Sequence, residues 1–184
     1  VANLIVQNRD GTVTGANGYV TVEQFYAYHA ARNSILPNDI TPTAVTPDLQ
    51  AASDDKVAGA IVRGTEYIDI RFQFIGWRRY SDQTTEWPRW DAIDITDRFL
   101  RAIPQPVMDA TCDYAFVALT AVLAPTPTYD ARGRRVLSFT QKVGPIENSA
   151  TYSDSAFEMP IYPLADNKLK RWGLTISGMR VQRT

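Results

Sequence analysis

Ser53 to Ile75 reads SDDKVAGAIVRGTEYIDIRFQFI, and the spacing of its apolar residues decides the class of fold. Val57, Ala60, Ile61, Gly64, Ile68, Phe72 and Ile75 recur every three or four positions, the period of one helix face. Ser53 stands where an N-cap is wanted. Asp54 and Asp55 follow it, where acids complement the positive end of a helix. The pattern predicts a long amphipathic helix beginning just after Ser53.

Upstream, TVEQF carries a second helix-start signature: Thr21 can cap the amide of Gln24 while Gln24 reaches back, and Val20 can staple against Phe25. A first helix is expected from Val22 to Arg32. Residues 33–53 hold Pro37, Pro42 and Pro47 among several threonines and read as a long loop. At the start of the chain, Asp10-Gly11 supplies positive φ cheaply, which predicts a hairpin pairing Leu4–Asn8 with Thr12–Thr14.

Downstream, residues 76–103 form a crossover with three of the four tryptophans of the chain and several arginines. Pro104 and Pro106 then start a third helix, whose apolar face is Val107, Ala110, Thr111, Tyr114, Val117, Ala118 and Ala121. Ala124-Pro125-Thr126-Pro127 ends it. In RRVLSFTQKVG, Leu137, Phe139, Gln141 and Val143 alternate with polar or basic residues, as on a strand with one covered face. Gly144-Pro145 bends the path, Ile146 to Tyr152 continues extended, and no turn signal folds the segment straight back. Its main-chain groups must pair elsewhere, and a partner strand in another subunit is one of the two open options. From Asn167 the residues LKRW allow a short helix before an extended tail.

The fold expected is therefore mainly α with β additions. Residues 1–20 form an N-terminal β-hairpin, 21–131 a small helical bundle including the loop and the crossover, and 132–184 a long extended arm with a C-terminal tail.

The 184 residues suit one domain with appendages. The net charge of -1 argues against binding nucleic acid through a bulk basic field. The single cysteine, Cys112, excludes an internal disulfide and a multi-cysteine zinc site. No signal peptide and no apolar run near membrane-spanning length is found, so no membrane span is expected.

Signals for chemistry are weak. His29 is the only histidine and falls in the first helix; Cys112 falls in the third, where a buried small hydrophobe is the default. Asp91, Asp94 and Asp97 lack the alternating oxygens and central glycine of a calcium loop. Gly11, Gly15 and Gly18 miss the dinucleotide and phosphate-loop spacings. No catalytic, cofactor or metal site is predicted, and the chain is not expected to be an enzyme; the competing enzyme reading would centre on His29 or on Asp91–Asp97.

The informative stretch is FQFIGWRRYSDQTTEWPRW, Phe72 to Trp90. Its tryptophans could clamp the crossover onto its own core with guanidinium groups stacked on indoles. Beside this favoured reading, they could anchor a subunit contact, where Trp and Arg are common, or, third, stack single-stranded bases, a role opposed by Asp82, Glu86, Asp91 and Asp94. The candidate interface residues are Trp77, Arg78, Arg79, Trp87, Arg89 and Trp90, with Leu137, Phe139, Val143, Ile146 and Tyr152 on the arm.

The order GYVTVEQFYAYHAAR, KVAGAIVRGTEYIDIRFQFIGWRR, QTTEWPR, IPQPVMDATCDYAFVAL, KVGPIENSATYSD and IYPLADNKL resembles head–tail adaptor (connector) proteins of tailed bacteriophages, specifically a group labelled putative DnaT-like single-stranded DNA-binding proteins. The loop at 33–53, Thr85-Glu86 and the end after Trp172 depart from the family's pattern. The resemblance implies a structural virion protein of the neck, assembled in the host cytoplasm. It implies a homo-oligomeric ring, commonly a dodecamer, docked on the portal protein and carrying the next stopper, nozzle or tail protein. DNA would be passing cargo in its channel, and no cofactor is implied. The alternative is a single-stranded DNA-binding protein using the crossover.

Overall fold

The computed structural model describes residues 2–43, 46–129, 135–142, 147–153 and 160–176, those of the two longest strands by backbone alone. Helix α1 spans Val22–Ala30. Its capping box is formed as the sequence predicts, the Thr21 hydroxyl taking the Gln24 amide and the Gln24 side chain taking the Thr21 amide. Val20 and Phe25, the expected staple, are both buried. Helix α2 runs over Pro47–Arg71, well upstream of the predicted start. Thr46 is the true N-cap and Pro47 sits in the first turn, where a missing N–H costs nothing. Ser53 is buried inside the helix, and its hydroxyl instead holds the preceding loop by bonding the amide and carbonyl of Thr41.

Two short strands follow, β1 at Trp77–Arg78 and β2 at Arg89–Trp90, paired antiparallel with Trp77 opposite Trp90 and Arg78 opposite Arg89. Helix α3, Gln105–Thr120, starts at its two prolines as expected. The chain then forms β3 (Thr128–Tyr129), β4 (Arg135–Lys142) and β5 (Glu147–Ser153), in the order β3-β4-β5 and antiparallel throughout. Next comes α4 at Pro163–Arg171, which covers Leu169–Arg171 of the expected LKRW helix, starts earlier, on Pro163, and has Trp172 as its C-cap. The class is mainly α with β additions, as the sequence predicts.

Two details differ. No N-terminal β-hairpin forms. Val6 bridges Gly18, in parallel sense, and the Asn17 amide reaches Ile5 O at 2.8 Å. The Asn8 carboxamide oxygen captures the amides of Asp10 and Thr12, so a local side-chain turn replaces the ladder those groups would have made. The arm, in turn, finds its partner within its own chain, because β4 pairs with β5 from Arg135↔Ser153 to Lys142↔Glu147. The four-residue connection, 143–146, is of ordinary hairpin length without being a two-residue turn signature.

The chain divides into two compact units, Val1–Leu123 with Ile161–Thr184, and Ala124–Pro160. In the first, α2 and α3 approach so closely that a Cβ built on Gly64 would lie 3.0 Å from the Ala115 nitrogen and 3.2 Å from the Thr111 carbonyl oxygen. Tyr67, Tyr114 and Tyr162 form a triangle of rings, with centroids 5.0 to 5.8 Å apart, that joins α2 and α3 to the residue before α4. The buried carboxylate of Asp166 fastens α4. It accepts from Tyr114 Oη and pairs with Arg71 at 2.9 Å. Burial and that carboxylate both push the Tyr114 phenol up, so it stays a donor. The segment after the arm thus belongs to the helical body rather than to an extended tail.

Candidate functional site

The crossover separates its tryptophans into two kinds. Trp87 is fully buried beneath the loop, edge-on to Phe74 with centroids 5.6 Å apart. Its amide donates to Tyr19 Oη at 3.1 Å, and that hydroxyl donates to Asp69 Oδ1 at 2.6 Å. Asp69 Oδ2 accepts the Glu86 amide at 3.1 Å. Asp69 therefore pins the start of the Trp87-Pro88 segment to α2. Burial lifts its carboxyl to about 7 against the lowering effect of those hydrogen bonds.

Arg89 is buried as well, and its donors are spent on the chain's own carbonyls. Nε donates to Ile75 O at 2.7 Å, Nη2 to Gly76 O at 2.8 Å and Phe74 O at 3.4 Å, and Nη1 to Glu86. A guanidinium so engaged holds the strand ends around Gly76 and cannot present a fork to a phosphate. Trp87 and Arg89, expected as interface residues, belong to the interior. Trp87 is clamped onto the core as that reading expects, whereas Arg89 is held by carbonyl oxygens and Glu86 rather than by stacking on an indole.

Trp77 and Trp90 are the opposite case. Facing each other across the β1–β2 pair, they are 71% and 49% exposed. The Arg79 guanidinium carbon lies 4.5 Å from the Trp90 ring centroid, within cation–π range. Arg79 Nη1 also reaches Arg101 O at 3.4 Å, and Arg78 Nη1 donates to Gln83 O at 3.1 Å. The Gly76 turn makes the pair close: a Cβ there would fall 2.2 Å from Trp90 O, at a φ of +71°.

Beyond β2 the chain makes a small rigid loop. Ile93 bridges Phe99, and buried Asp94 Oδ1 accepts from Thr96 N, Thr96 Oγ1 and Arg98 N at 2.8, 2.6 and 3.2 Å. Those bonds, Thr96's first, hold its carboxyl below the usual carboxylate range. The three aspartates thus serve a turn, with Asp91 and Asp97 at positive φ, which aspartate tolerates. Ile93, Ile95 and Phe99 remain exposed on this loop. Phe99 and Trp90 line one depression, and Phe99 and Trp172 another of about 370 Å³.

His29 is buried in the helical body among Phe25, Tyr28 and Phe116, with Nε2 3.2 Å from Cys112 O. Burial lowers the His29 pKa, so the imidazole is neutral near neutrality, and pushes the Cys112 thiol up to about 12, far from a thiolate nucleophile. With Asp113, Phe116 and Leu164, His29 also lines a mostly apolar groove of about 340 Å³.

A sequence model of the family described as "Putative DnaT-like ssDNA binding protein" matches residues 2–184. The chain belongs to that family. No curated protein and no solved structure matches it.

Within this DnaT-like chain the arm candidates stand as follows. Leu137, Phe139 and Tyr152 lie on β4 and β5. Val143 and Ile146 fall outside the described residues. What sequence reasoning missed is the continuation of the exposed apolar face through Ile93, Ile95, Phe99 and Trp172. The alternation of apolar and polar residues in IDITDRF signals it, although it lies outside any strand long enough to read by period.

Proposed function

We propose that this chain is a structural assembly subunit, a head–tail adaptor that forms a ring, docks on a portal protein and carries the next stopper or tail component while DNA passes through. The observation that carries this reading is the Ala124–Pro160 unit, an antiparallel ladder that is compact in its own right. Its outer strand β5 borders β4 alone among the described residues. A narrow ladder bounded by β5 on one side and by only the two residues of β3 on the other gains by adding a strand or a surface from another chain. β4 is paired within the chain, so the main-chain groups left to pair elsewhere are those at the outer edges of the ladder, on β5 above all. Sedimentation velocity of the full chain, alone and with purified portal protein, tests the proposal. Ring-sized species or portal complexes are expected, and a chain that stays monomeric and unbound in both arms would overturn it.

The family description supports a second reading more directly than the first: binding of single-stranded DNA. The exposed pair Trp77 and Trp90, with Arg79 against Trp90, is a place where bases could stack beside a cation. This reading predicts a fluorescence-detected complex with a single-stranded oligonucleotide that weakens steeply with salt and with Trp77→Ala. Absence of binding at low salt would end it.

A further inference from the structure

We propose that the exposed aromatic face of the helical body is the surface by which one copy of this chain packs on a second copy. The inference deepens the assembly reading and rests on it.

The face is continuous. Trp77 stands opposite Trp90 in the register of β1 and β2. Trp90 shares a depression with Phe99, and Phe99 shares the next with Trp172. Ile93 is bridged to Phe99. Ile95 Cγ2 would lie 2.5 Å from a Cβ on Gly173, which places it against the turn after α4. Thr175 bridges Phe74, bringing Ile176 to the same edge.

Magnitude then distinguishes this face from scattered surface residues. The seven side chains are between 40% and 71% exposed. For side chains of this size that leaves on the order of 800 Å² of largely apolar surface open to water. Lone soluble chains rarely carry a patch beyond roughly 300–600 Å², while a standard interface removes about 800 Å² from each partner. The face has the area a stable pair of copies needs.

The chemistry selects the occupant. Isoleucines at 93, 95 and 176 interleave with the aromatics, and a nucleic-acid strand has little to offer them. Two of the cations at the rim are matched within the chain: Arg79 lies 3.8 Å from Asp10 and Arg98 lies 3.4 Å from Asp94. A face whose charges are partly balanced at home suits a near-neutral partner, and the chain itself carries a net charge of only -1. The Asp94 turn holds Ile93, Ile95 and Phe99 in place beforehand, so little ordering cost remains on contact.

The test uses the full chain and two variants at exposed positions, Phe99→Ser and Ile95→Glu, with circular dichroism melts to establish that each remains folded. Sedimentation equilibrium should show self-association of the unaltered chain, weakened at least tenfold in both variants. If the unaltered chain assembles and the folded variants assemble equally well, this face is not the contact and the inference falls while the assembly reading stands. If the unaltered chain neither self-associates nor binds portal protein, both fall. Variants that keep self-association but lose a single-stranded oligonucleotide would overturn the inference in favour of a nucleic-acid face. Hydrogen exchange on the unaltered chain gives a reading independent of variant folding: protection of 93–99 should rise with protein concentration, and no rise in concentrated samples would also overturn the inference.

Discussion

Arg89 donates through Nη2 to the carbonyl oxygen of Gly76 at 2.8 Å, across the short strand pair that carries the two exposed tryptophans. Its Nε takes the neighbouring carbonyl of Ile75 at 2.7 Å. A lysine could meet at most part of this set, leaving buried carbonyls unpaired at about 1–3 kcal/mol each. Arg89→Lys should therefore lower stability by about 2 kcal/mol in urea denaturation. A change within a few tenths would show that the carbonyls find other donors.

The close approach of α2 and α3 at Gly64 gives a second prediction. Gly64→Ala adds a methyl carbon at 3.0 Å from backbone, which cannot swing aside as a long side chain would. The usual helix gain of alanine over glycine is then outweighed, and a net loss of about 1–3 kcal/mol is expected. Gly15 is the control, because nothing lies within 4 Å of its Cβ position and its strain would come from its φ of +70° alone. Unfolding curves for both substitutions check the comparison.

Asp166→Ala should be among the most destabilising changes in the helical body. It strips the buried carboxylate from Arg71, at 2.9 Å, and from the Tyr114 hydroxyl, at a site that water barely reaches. Breaking a buried pair from one side typically costs about 3–5 kcal/mol. Loss of α4 docking should also open the C-terminal segment to limited proteolysis before the rest unfolds. Unchanged cleavage kinetics would argue that α4 is held by its apolar contacts alone.

Asp69 makes stability depend on pH in a defined direction. Its carboxyl is raised to about 7 in the folded chain, chiefly by burial, against about 3.9 when unfolded. Over that interval the folded form keeps a proton that the unfolded form has lost. The contribution is complete below about pH 4 and disappears as pH rises through 7. The stability of Asp69→Asn relative to the unaltered chain should therefore increase from pH 5 to pH 8, whatever its offset. Carboxyl-carbon NMR should place the Asp69 midpoint near 7; a midpoint near 4 would remove the effect.

What could be read from the sequence follows from how local each signal was. Thr21 and Gln24 sit within one helical turn, so their reciprocal cap was legible, and Pro104 with Pro106 marked α3 the same way. The start of α2 was misplaced because Ser53 and Thr46 are both chemically fit to cap. Only the tertiary contact to Thr41 reveals that Ser53 is taken. The β4–β5 pairing depends on two segments meeting through a four-residue connection whose Gly144-Pro145 marks a bend without the two-residue signature of a tight hairpin. Likewise, nothing in WRRYSDQTTEWPRW distinguishes the tryptophan that enters the core from the two that stay outside. That choice is made by Phe74, Tyr19 and Asp69, which lie elsewhere in the chain.

The Tyr162 hydroxyl donates to the Leu123 carbonyl at 3.3 Å, so the points where the chain leaves the helical body and comes back are clasped side by side. The strand unit is thus an insertion with two neighbouring tethers rather than a dangling terminus. Tension applied to it divides between α3 and α4 instead of falling on one of them. A single terminal tether would instead peel away one turn at a time.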